Sequence, residues 1–136
     1  MDLPALCARI GVPSTQGKLW ALQIAANYIS NPSDRRRRLV APRSAAALAF
    51  LALAKRRHPG GPTMPLLLDV ARKVARGLPT DALLVRRCRA SATWWALEPA
   101  GYEPAPDEGA VAVAPLLADA AGLLGFDPAL ALAANS

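Results

Sequence analysis

Apolar positions along the chain fall into short runs separated by prolines, glycines and charge clusters. Leu3 to Ile10 reads as a helix, with Asp2 as N-cap, Pro4 tolerated in the first turn and Gly11 as the stop, Pro13 following two residues later. Ser14 or Thr15 suits the cap of a second helix over Lys18 to Ile29. Its apolar set is Leu19, Leu22, Ile24, Ala25, Ala26 and Ile29, with Trp20 and Tyr28 at the flanks. Ser30-Asn31-Pro32-Ser33-Asp34 has the residue types of a loop. Pro42 then presets a third helix, from Arg43 to Arg57. Every residue from Ala45 to Ala54 is apolar, which predicts a helix buried all round at the centre of the fold.

His58-Pro59-Gly60-Gly61-Pro62 is a sharp connection. A fourth helix is predicted from Met64 to Arg76, with Thr63 as cap, Pro65 in the first turn, and Leu66, Leu67, Val70, Ala71 and Val74 as its apolar face. Gly77 ends it. A fifth is predicted from Asp81 to Leu97, capped by Thr80. Glu98 to Gly109 reads as a linker rich in Pro, Gly and acid. Ala110 to Leu124 reads as a last helix, broken or kinked near Pro115, with a short strand over Ala110 to Val113 as the lesser alternative. Asp127-Pro128 suits the cap of one final turn. The expected fold is therefore all-α, a compact bundle of about five helices with an acidic, partly helical C-terminal segment and no convincing strand. Its organisation is a basic helical domain over 1–97, a linker over 98–109, and an acidic, apolar helical segment over 110–136.

Composition adds exclusions. At 136 residues there is room for one compact unit. Aromatics make up 5%, and alanine is the common filler, which favours helices over a β-sandwich. Cys7 and Cys88 lie 81 positions apart, so they read as core residues or free thiols, not as a disulfide scaffold. The longest apolar run is ten residues, too short to span a bilayer, and Met1 to Ile10 lacks the pattern of an export signal. A cytoplasmic protein with no membrane partner is expected.

Charge changes the picture most. The chain carries 16 Lys and Arg against 10 Asp and Glu, a net +6. All 16 bases lie between Arg9 and Arg89, a stretch that shares the first 89 residues with only four acids, so that part carries 16 − 4 = +12. The remaining 47 residues hold six acids and no base. Such segregation of sign points to a nucleic-acid-binding body joined to an acidic regulatory or partner-binding segment. The plainer reading is a solvated surface whose arginines pair with acids of the same chain.

No catalytic layout is present. His58 is the only histidine, so there is no zinc pair, and no phosphate-cradling Gly-Lys loop occurs. Gly60-Gly61 lies between prolines, and the acids Glu103, Asp107 and Glu108 sit in the Pro-rich linker, which holds no fixed carboxylate spacing. No enzyme, metal, cofactor or small-molecule substrate is expected.

Arg35, Arg36, Arg37 and Arg38 form a continuous basic run, with Arg43 at the start of the third helix, where free N–H groups also suit phosphate. A second cluster comprises Arg56 and Arg57, beside Lys55, together with Arg72, Lys73 and Arg76 across the tight turn. Both are candidate DNA contacts. Leu6 to Val12 followed by Ser14-Thr15-Gln16 has the order of a helix-turn-helix, although Gly17 stands where an apolar contact of the second helix belongs. Adjacent Trp94 and Trp95 cannot share one core, so one is expected at a protein interface. Leu116 and Leu117, on the apolar side of the last helix, are expected to face a partner such as RNA polymerase, the body of the same chain being the alternative cover.

The stretch Ile24 to Arg87 resembles the helical C-terminal DNA-binding domain of the bacterial replication initiator DnaA. "AANYIS", a variable loop, "RRRRLVAPRSAAALAFLALAK" and "LDVARKVARG" follow that domain's order of helix, basic loop, Pro-Arg helix start and closing helix. Arg38, Pro42 and Arg43 match its basic loop and Pro-Arg pair. The family's Asp-His-Thr-Thr signature is replaced by "HPGGPTMP", so no base-reading residue carries over, and an initiator with a preceding nucleotide-binding domain is not expected. Similar domains occur in small phage-type and gene-transfer-agent regulators. The resemblance implies a DNA-binding transcription regulator. The rival from another class is a small non-enzymatic protein-binding factor or inhibitor, riding on RNA polymerase.

Overall fold

The structure is a computed structural model that describes residues 1–78, 83–87, 95–99 and 110–125. The described chain is mostly helical. Helix α1 spans Leu3–Ile10; its N-cap is Asp2, whose carboxylate accepts the Ala5 N–H at 2.9 Å, and Gly11 ends it at φ 73°. Helix α2 spans Ser14–Gln23, α3 Pro42–Arg57, α4 Met64–Ala75 and α5 Val113–Leu123.

The all-apolar stretch of α3 forms the centre, as its sequence predicts. Every residue from Ser44 to Ala54 is buried, and Phe50, Leu48 and Leu51 are among the largest fully buried side chains. Alanines along α3 let its neighbours come close, and α4 and α5 pack on it most extensively, with α1 and α2 on its remaining sides. Helix α4 contributes Leu67, Leu68, Val70, Ala71, Val74 and Ala75, while α5 contributes Val113, Leu116, Leu117, Ala120 and Ala121. Ser44 is the buried polar residue of the described core, and its hydroxyl accepts the Asn27 N–H at 2.8 Å.

Strands are the main departure from the all-α expectation. A two-stranded antiparallel ribbon joins β1 (Tyr28–Ile29) to β2 (Leu39–Val40). A three-stranded antiparallel sheet has the order β4-β3-β5, formed by β3 (Leu83–Arg87), β4 (Trp95–Pro99) and β5 (Ala110–Ala112). The expected fifth helix, Asp81 to Leu97, is thus replaced by a pair of strands in which Val85 lies opposite Leu97 and Arg86 opposite Ala96. Short apolar runs such as Leu83-Leu84-Val85 fit helix and strand equally by pattern, and pairing with β5, where Val85 faces Val111, decides the outcome. Glu98 and Pro99, expected to open the linker, end β4. The proposed cap at Thr80 and the final turn at Asp127-Pro128 lie outside the described residues, as do Arg89, Cys88 and Trp94.

Two helices have different limits from those expected. Helix α2 starts at Ser14 with Pro13 as N-cap and stops at Gln23, because Ala25 adopts φ 52° and turns the chain into β1. The last helix starts at Val113, so Pro115 falls in the first turn, where its missing N–H costs no helical bond, and produces no kink. Residues 110–112, the lesser alternative, are the strand.

Helix α1 meets α2 through a close contact. A β-carbon on Gly17 would stand 2.1 Å from the Cys7 sulfur and 3.7 Å from the Cys7 β-carbon. Gly17→Ala should therefore destabilise the protein by about 1–3 kcal/mol through overpacking. Cys7→Ala in the same chain should remove the clash and recover that loss, since alanine also suits a helix interior better than glycine. A urea-denaturation cycle on the four proteins checks this; additive single effects would mean that the two helices do not touch there. In the core, Leu51→Ala should cost roughly 2–5 kcal/mol by the same measurement.

Candidate nucleic-acid interface

The two basic clusters of the sequence meet different fates. Arg35 to Arg38 form the second half of the loop, 30–38, that joins β1 to β2, and all four are exposed. The ribbon is anchored at its base, where the Val40 N–H donates to the Met1 carbonyl and the Ala41 N–H to the Asn27 carbonyl, each at 2.9 Å. Two side-chain turns shape the loop. Asn31 accepts the Ser33 N–H and Asp34 accepts the Arg36 N–H, both at 3.0 Å. The one acid in the loop is thus engaged with backbone. Arg37 lies 3.6 Å from the Asp2 carboxylate but remains 71% exposed, a weak surface pair. Among the described residues Arg35, Arg36 and Arg38 make no ion pair.

Arg38 lines two open cavities. One, of about 510 Å³, is lined by Asp2, Leu3, Pro4, Tyr28, Arg37 and Arg38. The other, of about 610 Å³, is lined by Ser30, Asn31, Pro32, Arg35 and Arg38.

Two members of the second cluster, Arg56 and Arg72, hold helix ends of other elements. Arg56 donates to the Ile10 carbonyl at 2.7 Å and its guanidinium covers Gly11, where α1 ends. Arg72 donates to the Gln23 carbonyl at 2.8 Å, where α2 ends. Arg9, which belongs to neither cluster, donates to the Leu123 carbonyl at 3.1 Å, where α5 ends. Arg43 lies over Gly77, which follows α4 at φ 72°. The last carbonyls of a helix lack intrahelical partners and carry partial negative charge, so a guanidinium from another element satisfies both needs. Arg57 pairs with Asp119 of α5, and Lys73 pairs with Asp69 one turn earlier at 3.5 Å. Arg76 is exposed at the end of α4. Isolated arginines such as Arg9 give no sequence signal for capping, because the carbonyl that each caps belongs to a distant part of the chain.

The expected protein-binding residues also change. Leu116 is 5% exposed and Leu117 is 0%, both within the core formed with α3, so the body of the same chain covers them and they are not a partner surface. Trp94 lies outside the described residues, and Trp95 is placed by its backbone opposite Arg87 in the sheet. Leu19 and Leu22, expected to be buried, are 50% and 80% exposed, because α2 turns Gly17, Trp20, Ala21 and Ile24 inward instead. Lys55 stands over the Trp20 ring, 5.8 Å from its centre.

Burial raises the pKa of the Cys7 thiol above its ordinary value. No group of three metal-ligating side chains occurs among the described residues, and no described helix is long and apolar enough to cross a membrane. Comparison with known proteins finds no match to a family model, to a curated protein or to a solved structure.

The division of labour among the arginines is testable. Arg56→Ala should cost about 1–3 kcal/mol, the range for a bond to a charged donor whose removal leaves a carbonyl unpaired. Arg35→Ala should change stability by less than about 0.5 kcal/mol. Equal losses in chemical denaturation would mean that Arg56 is not a structural cap.

Proposed function

We propose that this protein is a DNA-binding transcription regulator that holds the phosphate backbone through the arginine loop between β1 and β2, and that it works without catalysis, cofactor or small-molecule substrate. The observation that carries this reading is the presentation of Arg35, Arg36, Arg37 and Arg38 together in one exposed loop, beside two cavities. A run of exposed guanidinium groups is suited to phosphate oxygens, which arginine meets with a planar fork of donors. Each neutralised phosphate releases counterions, so the resulting affinity is steeply salt-dependent. The net charge of +6 draws DNA in over a longer range. Contact with RNA polymerase or another transcription protein belongs to the same proposal.

The competing reading, a factor that binds protein alone, draws support from the exposed Leu19, Leu22 and Ile29. It predicts no binding to DNA at low salt. Titration of the intact protein against random-sequence duplex DNA over a series of salt concentrations separates the two. The wild type should bind with a steep negative slope. Arg35→Ala with Arg36→Ala should weaken binding to all sequences and flatten the slope by about 0.9 for each phosphate that is no longer neutralised. An unchanged slope in the double variant would reduce the run to a solvated loop.

A further inference from the structure

The outer face of α2 is the part of the described surface that neither the core nor the arginine loop explains. Helix α2 follows α1 after only three residues, Gly11-Val12-Pro13, and Gly11 takes the left-handed conformation that reverses the chain. A short glycine turn between two packed helices is the connection of a helix-turn-helix. The packing is close because Gly17 has no side chain: the Cys7 sulfur fills the space that a β-carbon would need. The same glycine that breaks the usual apolar pattern thus lets α2 lie directly on α1. Both helices rest on α3, with Leu6, Ile10, Trp20, Ala21 and Ile24 in the common core.

This packing fixes which side of α2 faces outward. Ser14, Thr15, Lys18, Leu19, Leu22 and Gln23 are exposed. The face carries two hydroxyls, one lysine, two leucines, an amide and no carboxylate, and α2 as a whole contains no Asp or Glu. Two leucines exposed at 50% and 80% are poorly suited to water but match the 5-methyl groups of thymine, which line the major groove. Hydroxyl, amide and lysine groups meet the polar edges of bases beside them. Charge agrees with a polyanionic occupant. Lys55 lies beside Trp20, at a cavity of about 400 Å³ that Gly11, Gln16 and Arg56 also line. The ribbon carrying Arg35 to Arg38 follows α2 in the chain, and Arg37 lies 3.6 Å from Asp2 at the start of α1.

We infer that α2 is a base-reading helix that lies in the major groove of duplex DNA, with Thr15, Lys18 and Leu22 toward the base edges. This rests on the DNA-binding reading of the arginine loop and names the element that gives such binding its sequence preference. The loop contributes affinity shared by all sequences, and α2 discriminates among them.

The test is selection of bound sequences from a pool of random duplex DNA by the intact protein, repeated with Leu22→Ala and Thr15→Ala. Both positions are exposed, so the variants should melt as the wild type does. The wild type should enrich one motif that contains A·T pairs. Each variant should lose about tenfold of its preference for that motif over the starting pool, while affinity for the pool itself stays within about twofold. Arg35→Ala with Arg36→Ala should lower affinity for motif and pool alike. A wild type that binds the pool but enriches nothing overturns the inference and leaves the loop reading intact. So do variants that select the same motif with the same preference. A wild type that does not bind the pool overturns the loop reading itself.

Discussion

Arginine side chains crossing between elements to reach helix ends hold this fold in register. Helix α3 supplies Arg56 to the end of α1, α4 supplies Arg72 to the end of α2, and α1 supplies Arg9 to the end of α5. The last carbonyls of a helix lack intrahelical partners, and a charged donor from another element supplies one; the bond to Ile10 is partly buried, and those to Gln23 and Leu123 lie at the surface. The alanine-rich core makes this need sharper. Small side chains bring the helices close, so apolar area alone does not dictate how one helix slides along the next. The caps add directional bonds between neighbouring elements, and Arg43 lies over Gly77 after α4. Arg9, Arg56 and Arg72 are therefore structural.

Arg35 to Arg38 project from a two-stranded ribbon whose short strands carry little besides the loop. In the described part of the acidic C-terminal portion, Asp119 pairs with Arg57, and the leucines of α5 enter the core beside α3. Residues 110–125 thus belong to the same packed unit as residues 3–75. Asp119 balances the base at the end of α3, not those of the ribbon.

The sequence made the buried helix α3, the capped helix α1, the amphipathic helix α4 and the exposure of the arginine run legible, because each rests on a local signal: an unbroken apolar run, a cap and stop, a helical period, a charge cluster. Three features were not legible for physical reasons. Leu83-Leu84-Val85 lacks a period, and its strand form depends on pairing with residues far along the chain. The inward face of α2 is set by Gly17 against Cys7, a contact invisible without the neighbouring helix. The roles of Arg56 and Arg72 depend on carbonyls 46 and 49 positions away, so their charge was visible and their partners were not. Leu116 and Leu117 follow the same rule: helical spacing shows an apolar face but not what covers it.

Hydrogen exchange of the intact protein, with and without random duplex DNA at low salt, tests most directly the claim that the arginines divide between holding DNA and holding the fold. The account predicts added protection at the backbone amides of residues 30–38, with those at the capped ends of α4 and α5 unchanged. Protection at those helix ends, with none across residues 30–38, would contradict it.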